Sequence, residues 1–195
     1  MSRTSPESEK LLRHWLNQGW KFRMQRHSEH MTAHRAEYIQ RVEDELELIL
    51  DKDFGDYFLV VSDIVRWAKD HKIVVGPARG SSGASLICWL LRITEINPML
   101  FPHMMFSRFV DPTRHDLPDI DVDIEDTRRR ELWEYAESKY GKECVGNIAN
   151  VVGYKGKNSL EDVGRAFSIP PLPWCFLSVH PRLVRRRYSI NQSDC

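Results

Sequence analysis

The sequence lacks most of the features that would announce a class at once. No apolar run approaches the roughly 20 residues that span a bilayer, and the opening MSRTSPESEK holds no apolar stretch of the kind a secretory signal needs. A membrane role is therefore not expected, and the chain reads as cytoplasmic. Net charge is missing too. Lys+Arg and Asp+Glu both total 28, so bulk electrostatics neither demand nor exclude a nucleic-acid partner, and local clusters must decide. Cysteine is scarce and scattered, at Cys88, Cys144, Cys175 and Cys195, with no C-x-x-C pair. That excludes a zinc knuckle and a disulfide framework and predicts reduced thiols. No internal repeat or low-complexity tract is present. What remains is 195 residues, 42% hydrophobic and 29% charged, the mix of one soluble domain or of a fragment of something larger.

Periodicity divides the chain into elements of both kinds. Leu11, Leu12, Trp15 and Leu16 predict a short amphipathic helix before a polar stretch from Arg23 to Arg35. Tyr38, Ile39, Val42, Leu46, Ile49 and Leu50 predict a second helix, with Arg41, Glu43, Asp44, Glu45 and Glu47 on its solvated face. Residues 57–69 carry the helical period again. Ile73-Val74-Val75 reads as a buried strand stopped by Gly76-Pro77, and Ala84 to Arg92 as a helix beyond the intervening loop. Proline-bearing turns follow around Pro98 and Pro112. In Pro118-Asp-Ile-Asp-Val-Asp-Ile124 strict alternation signals a strand with every carboxylate on one face. Residues 128–140 return to the helical period.

Two segments carry chemistry. A period of two sets Asp119, Asp121 and Asp123 in a row, about 7 Å apart. Such a row repels itself, so holding it on one face favours a divalent cation with oxygen ligands; the alternative is a solvent-facing acidic edge strand. A calcium loop does not fit, because Ile124 and Arg130 stand where glycine and glutamate are needed. The loop Gly76-Pro-Ala-Arg-Gly-Ser-Ser-Gly-Ala-Ser85 runs from a strand to a helix. Its amides and hydroxyls can surround phosphate oxygens at a positive helix end, with Arg79 adding a charged fork, or it is a plain flexible turn. It is not a Walker A loop, since no Gly-Lys-Ser/Thr follows at the required spacing.

With these segments, Tyr57-Phe-Leu-Val-Val-Ser-Asp-Ile-Val-Arg-Trp-Ala-Lys69, Arg79-Gly-Ser81, Phe106-Ser-Arg-Phe109, Pro118-Asp-Ile-Asp-Val-Asp123 and Asp162-Val-Gly-Arg165 stand in one order and spacing. Over residues 8–167 the chain resembles the C-family bacterial replicative DNA polymerases, the family of the DNA polymerase III alpha subunit. The resemblance implies an incomplete α/β (α+β) palm of the polymerase-beta nucleotidyltransferase type. It implies metal ligation and catalysis by Asp119 and Asp121, with Asp123 a further metal ligand, Mg²⁺ (two ions, Mn²⁺ substituting) as cofactor, and a loop that holds the triphosphate of a dNTP. Phosphate contacts then fall to Arg79, Gly80, Ser81 and Ser82, with Arg108 and Lys157 as additions. The implied partners are primer-template DNA, dNTP, and the remaining polymerase domains or replisome subunits.

The chain also departs from that family. Its loop has Ala78, Ser82 and Ala84 where the family is richer in glycine, Ile124 stands for Phe, and Ser107 replaces a carboxylate. The family's amino-terminal domain and third catalytic aspartate are expected outside this sequence. The resulting division is a helical lead-in over 1–36, the palm-like fragment over 37–167, and a divergent tail over 168–195 expected to be disordered, its Arg182 and Arg185 to Arg187 included. His27, His30 and His34 share a helical face but lack a fourth zinc ligand or an H-E-x-x-H pattern. Arg128 to Arg130 meet template phosphate or form a solvated first helical turn. The reading is a DNA-directed DNA polymerase fragment, inactive as an isolated chain. The alternatives are a non-catalytic nucleotide- or DNA-binding remnant and a different nucleotidyltransferase.

Overall fold

A serine opens the first helix: Ser5 Oγ accepts from the Ser8 amide at 3.1 Å, and Pro6 follows at the position where a missing N–H costs nothing. The computed structural model describes residues 5–113, 116–146, 153 and 156–168, which fall into two units, Met1–Gly146 and Asn147–Cys195. In the first unit α1 (Pro6–Ala33), α2 (Arg35–Asp51), α3 (Gly55–Asp70) and the short α4 (Leu86–Leu90) enclose one core, and α5 (Arg129–Tyr140) packs on α3. In the second, α6 covers Gly156–Ala166.

The core is built around α4, all of whose residues are buried. Leu12, Leu16, Gly19 and Arg23 of α1 recur at helical spacing, and Tyr38, Leu46 and Ile49 of α2 and Phe58, Leu59, Ser62 and Val65 of α3 do the same. A smaller cluster of Ala68, Ile73 and Leu132, with Ile64, Trp67, Val75 and Ile124 against it, joins α5 to α3. Three helices end alike, on a left-handed residue that is not glycine: Asp53, Lys72 and Arg92, with φ of 57°, 58° and 65°. Each closes a Schellman pair of bonds, as in Ile73 N–H to Ala68 O at 2.9 Å and Lys72 N–H to Lys69 O at 3.1 Å.

Three expectations need correction. The α/β palm of the polymerase-beta type is not the architecture: among the described residues the elements are helices and 3-10 turns, and the two expected strands meet in one isolated antiparallel bridge, Val75 to Ile124. The extended segments bury their apolar side against helices instead. The first helix spans 28 residues with a kink at His27 and takes in most of the supposed polar stretch, in which Arg23 is a core residue. The face of α2 assigned to solvent is only partly so: Glu45 is 1% exposed.

Candidate functional site

The single bridge sets the register of everything around it. Gly76 N–H donates to Asp123 O at 2.8 Å and Glu125 N–H to Val74 O at 3.0 Å, which lays the loop after Val75 along the acidic segment. Asp119, Asp121 and Asp123 are exposed, while Ile120, Val122 and Ile124 are half-buried, so the alternation that signalled a strand survives without a sheet. Ile120 N–H donates to Tyr57 Oη at 3.3 Å, tying the segment to α3. Burial raises the Tyr57 phenol above its usual range; the Ile120 amide opposes this, and Asp119, Cys88 and Asp121 add to it.

The loop approaches the acidic row closely. Gly80 has φ of +64°, and a Cβ there would lie 2.7 Å from Asp121 Oδ2; a Cβ on Gly76 would lie 3.0 Å from that of Asp123. Only Gly80 in this loop has a positive φ. The side chains of Ala78, Ser82 and Ala84 therefore sit where a Cβ costs no backbone strain. Arg79 Nη1 is 3.8 Å from Asp123 Oδ1, with both side chains more than half exposed, a pair that solvent weakens and a stronger anion can replace. Ser81 is exposed, but Ser82 is buried and its hydroxyl donates to Arg79 O at 2.9 Å. Arg108 is exposed on the 3-10 turn Phe106–Arg108, which packs beside the turn Gly80–Ala84. Lys157 belongs to α6 in the second unit, and its side chain lies outside the described residues, as does the tail from 169 to 195.

The helix end expected to receive phosphate is already taken. The Glu45 carboxylate accepts from the amides of Leu86 and Ile87 at 3.0 Å each and from Ser85 Oγ at 2.9 Å. Ser85 Oγ in turn accepts from the Cys88 amide at 3.1 Å. Sequence periodicity missed Glu45 because a carboxylate scores as solvated; the available signal was its place among Tyr38, Leu46 and Ile49 on the buried side of α2.

Other candidates have protein partners. Arg128 grips Glu131 through two bonds of 2.7 Å and donates to His71 O, Arg129 lies 3.9 Å from Asp126, and Arg130 pairs with Glu134 at 3.0 Å. His27 stands edge-on to Trp89, His30 bonds Tyr38 Oη, and His34 bonds Glu37. Cys88 and Cys144 are free thiols. For Mg²⁺ the donor type of Asp119, Asp121 and Asp123 is right, being hard carboxylate oxygen. The number is not: among the described residues no group of three or more His, Cys, Asp or Glu is gathered to hold a metal ion. One or two carboxylates with substrate phosphates are a usual Mg²⁺ arrangement, so the residues fit a site that a nucleotide completes.

Residues 10–178 match the family described as the bacterial DNA polymerase III alpha NTPase domain. The chain belongs to this family. It is similar to the DNA polymerase III subunit alpha of Caulobacter vibrioides, 39% identical over 159 residues, 82% of this chain and 14% of that protein. The subunit alpha of Treponema pallidum is 40% identical over 162 residues, covering 83% of this chain and 13% of the relative. That of Rickettsia bellii is 40% identical over 142 residues, or 73% and 12%. The chain thus spans between 12% and 14% of the length of these DNA polymerase III alpha relatives. Among the described residues no helix is long and apolar enough to cross a membrane.

Proposed function

We propose that this chain supplies the nucleotide-facing segment of a DNA-directed DNA polymerase, in which a primer 3′-hydroxyl oxygen bonds to the α-phosphorus of a dNTP. The bond from α-phosphorus to the bridging oxygen breaks, pyrophosphate leaves, and the hydroxyl proton passes to solvent. The observation that carries this reading is the packing of the loop on the acidic row, with Gly80 against Asp121 and Arg79 beside Asp123. Asp119 and Asp121, with Asp123 as a third donor, would hold Mg²⁺. Two Mg²⁺ ions supply Lewis acidity, lowering the pKa of the attacking hydroxyl and neutralising charge on the transferred phosphate. Arg79 exchanges its exposed partner Asp123 for a triphosphate oxygen, where its fork makes a charge-assisted contact. Gly80 and Ser81 offer amides and a hydroxyl on the same exposed side, and Arg108 adds charge from the neighbouring turn. Ser82 acts from within, bracing the loop through the Arg79 carbonyl.

The proposed partners are primer-template DNA, dNTP and the other polymerase domains or replisome subunits. The absence of a three-donor group among the described residues favours a second reading for the isolated chain: it binds nucleotide without turning it over. Calorimetric titration of the 195-residue chain with a dNTP in Mg²⁺ tests the site. Arg79→Ala is expected to weaken binding by about 1.5 to 3 kcal/mol, and Asp119→Asn with Asp121→Asn to remove its Mg²⁺ dependence. Unchanged isotherms in both variants would refute the assignment.

A further inference from the structure

The loop is held from behind by a pair of side chains that the candidate site does not include. Glu45, 1% exposed, spends its carboxylate on Ser85 Oγ, on the Leu86 and Ile87 amides and on Arg41 Nε at 3.0 Å. Every one of these contacts is a donor to the carboxyl oxygens, and burial raises its carboxyl above the usual range while the Ile87, Leu86 and Arg41 donors pull it down. Arg41 sends Nη2 to the carbonyls of Ala84 at 2.7 Å and Met104 at 3.1 Å. Together the two side chains fasten residues 84–87, the end of the loop, and Met104, just before the turn that carries Arg108, to one helix.

We propose that Glu45 and Arg41 are positioning residues for the nucleotide site. They fix the distal end of the loop so that Arg79, Gly80 and Ser81 stand against Asp121 and Asp123, and they bring the Arg108 turn beside it. By occupying the amino end of α4 with a carboxylate, Glu45 also confines phosphate to the outer half of the loop. The energetic logic is that a buried carboxyl whose acceptor positions are all filled specifies one geometry, whereas altering it leaves buried donors without partners. The proposal rests on the loop being the triphosphate-binding element.

The test keeps the two ideas apart. In the 195-residue chain, Glu45→Gln is expected to accelerate amide exchange across residues 79–87 while α1 and α5 keep their protection, and to weaken dNTP binding by about tenfold or more. Combined with Arg79→Ala it should cost little beyond the larger single effect, since a positioning residue acts through the residue it places. Arg41→Lys, which keeps the charge and loses the fork, should show the same pattern more mildly, and it serves if Glu45→Gln does not fold. Unchanged exchange in the loop overturns the proposal, whatever happens to nucleotide. Faster exchange with undiminished affinity, or full additivity with Arg79→Ala, overturns the positioning role. Faster exchange in a chain whose parent binds no dNTP supports the fastening and sinks the nucleotide reading instead.

Discussion

Arg23 and Gly19 lie one turn apart on α1, and between them they decide how closely that helix approaches α4. Arg23 is 1% exposed and donates to Trp89 O at 3.0 and 2.8 Å, to Thr94 O at 2.7 Å and to Glu95. It therefore adds donors to carbonyls at and just beyond the end of α4. Gly19 makes room for this: a Cβ there would fall 1.9 Å from Leu90 O, well inside contact distance and against backbone that cannot swing aside. Gly19→Ala is expected to lower stability by about 1 to 3 kcal/mol or more, read as a reduced midpoint in urea denaturation. An unchanged midpoint would mean that α1 sits further from α4 than described. Neither role was legible in the sequence, because pattern reading scores an arginine as solvent-facing and a glycine as a weak spot. What was legible was Asp119, Asp121 and Asp123 on one side and the loop around Arg79. Their placement depends on local alternation and on spacing, which the sequence carries directly.

Helices were easier to read than extended segments, and for a physical reason. The stripe of α2 is satisfied within one element and its neighbours, so Tyr38, Leu46 and Ile49 declare themselves; over 57–69 the period announced the helix but not its buried face, which is Phe58, Leu59, Ser62 and Val65. An extended segment with one buried side looks the same whether it pairs in a sheet or lies on helices. Residues 118–124 took the second course. The attachment of α5 shows how elements are joined without a sheet. Asp63 of α3 accepts from Tyr135 Oη at 2.7 Å, Lys139 Nζ at 2.6 Å and Tyr140 Oη at 2.9 Å, while Trp67 stacks on Tyr135 with ring centres 4.5 Å apart. Burial acts to raise the Asp63 carboxyl, but Lys139, Tyr135 and Tyr140 outweigh it and hold the group below its usual range. A depressed carboxyl stabilises the fold above its unfolded pKa of about 3.9 and loses that contribution as pH falls through the lower folded value. Asp63→Asn should therefore be less stable than the parent by about 1 to 3 kcal/mol at pH 7. The gap should persist to pH 5 and close below pH 4. Thermal melts of both proteins across that range check it, and a gap that stays constant down to pH 2 would show that charge on Asp63 is not what holds α5.

At the scale of the whole molecule, the family was legible from linked motifs although the architecture implied with it was not. Motifs such as Arg79-Gly-Ser81 and Pro118-Asp-Ile-Asp-Val-Asp123 are local, while a sheet is a property of distant pairing. The consequence for activity is that binding and turnover should separate in this chain. Two-metal transfer requires both ions fixed in a dry, shaped site, and the described residues gather no group of three or more metal-type donors. Asp119, Asp121 and Asp123 are all exposed, so water competes for any ion they hold. Duplex DNA should bind weakly as well, since the chain has no net charge and Arg128, Arg129 and Arg130, which follow the acidic segment, already face carboxylates and are less able to displace counterions from phosphate. The purified chain, given a primed template, all four dNTPs and Mg²⁺ or Mn²⁺, is therefore expected to bind nucleotide and leave the primer unextended. Extension that Asp119→Asn abolishes would overturn this. It would mean that nucleotide and DNA draw the acidic row into a complete metal site, with Glu125, held near Val74 and Thr127, the nearest carboxylate in sequence able to join it.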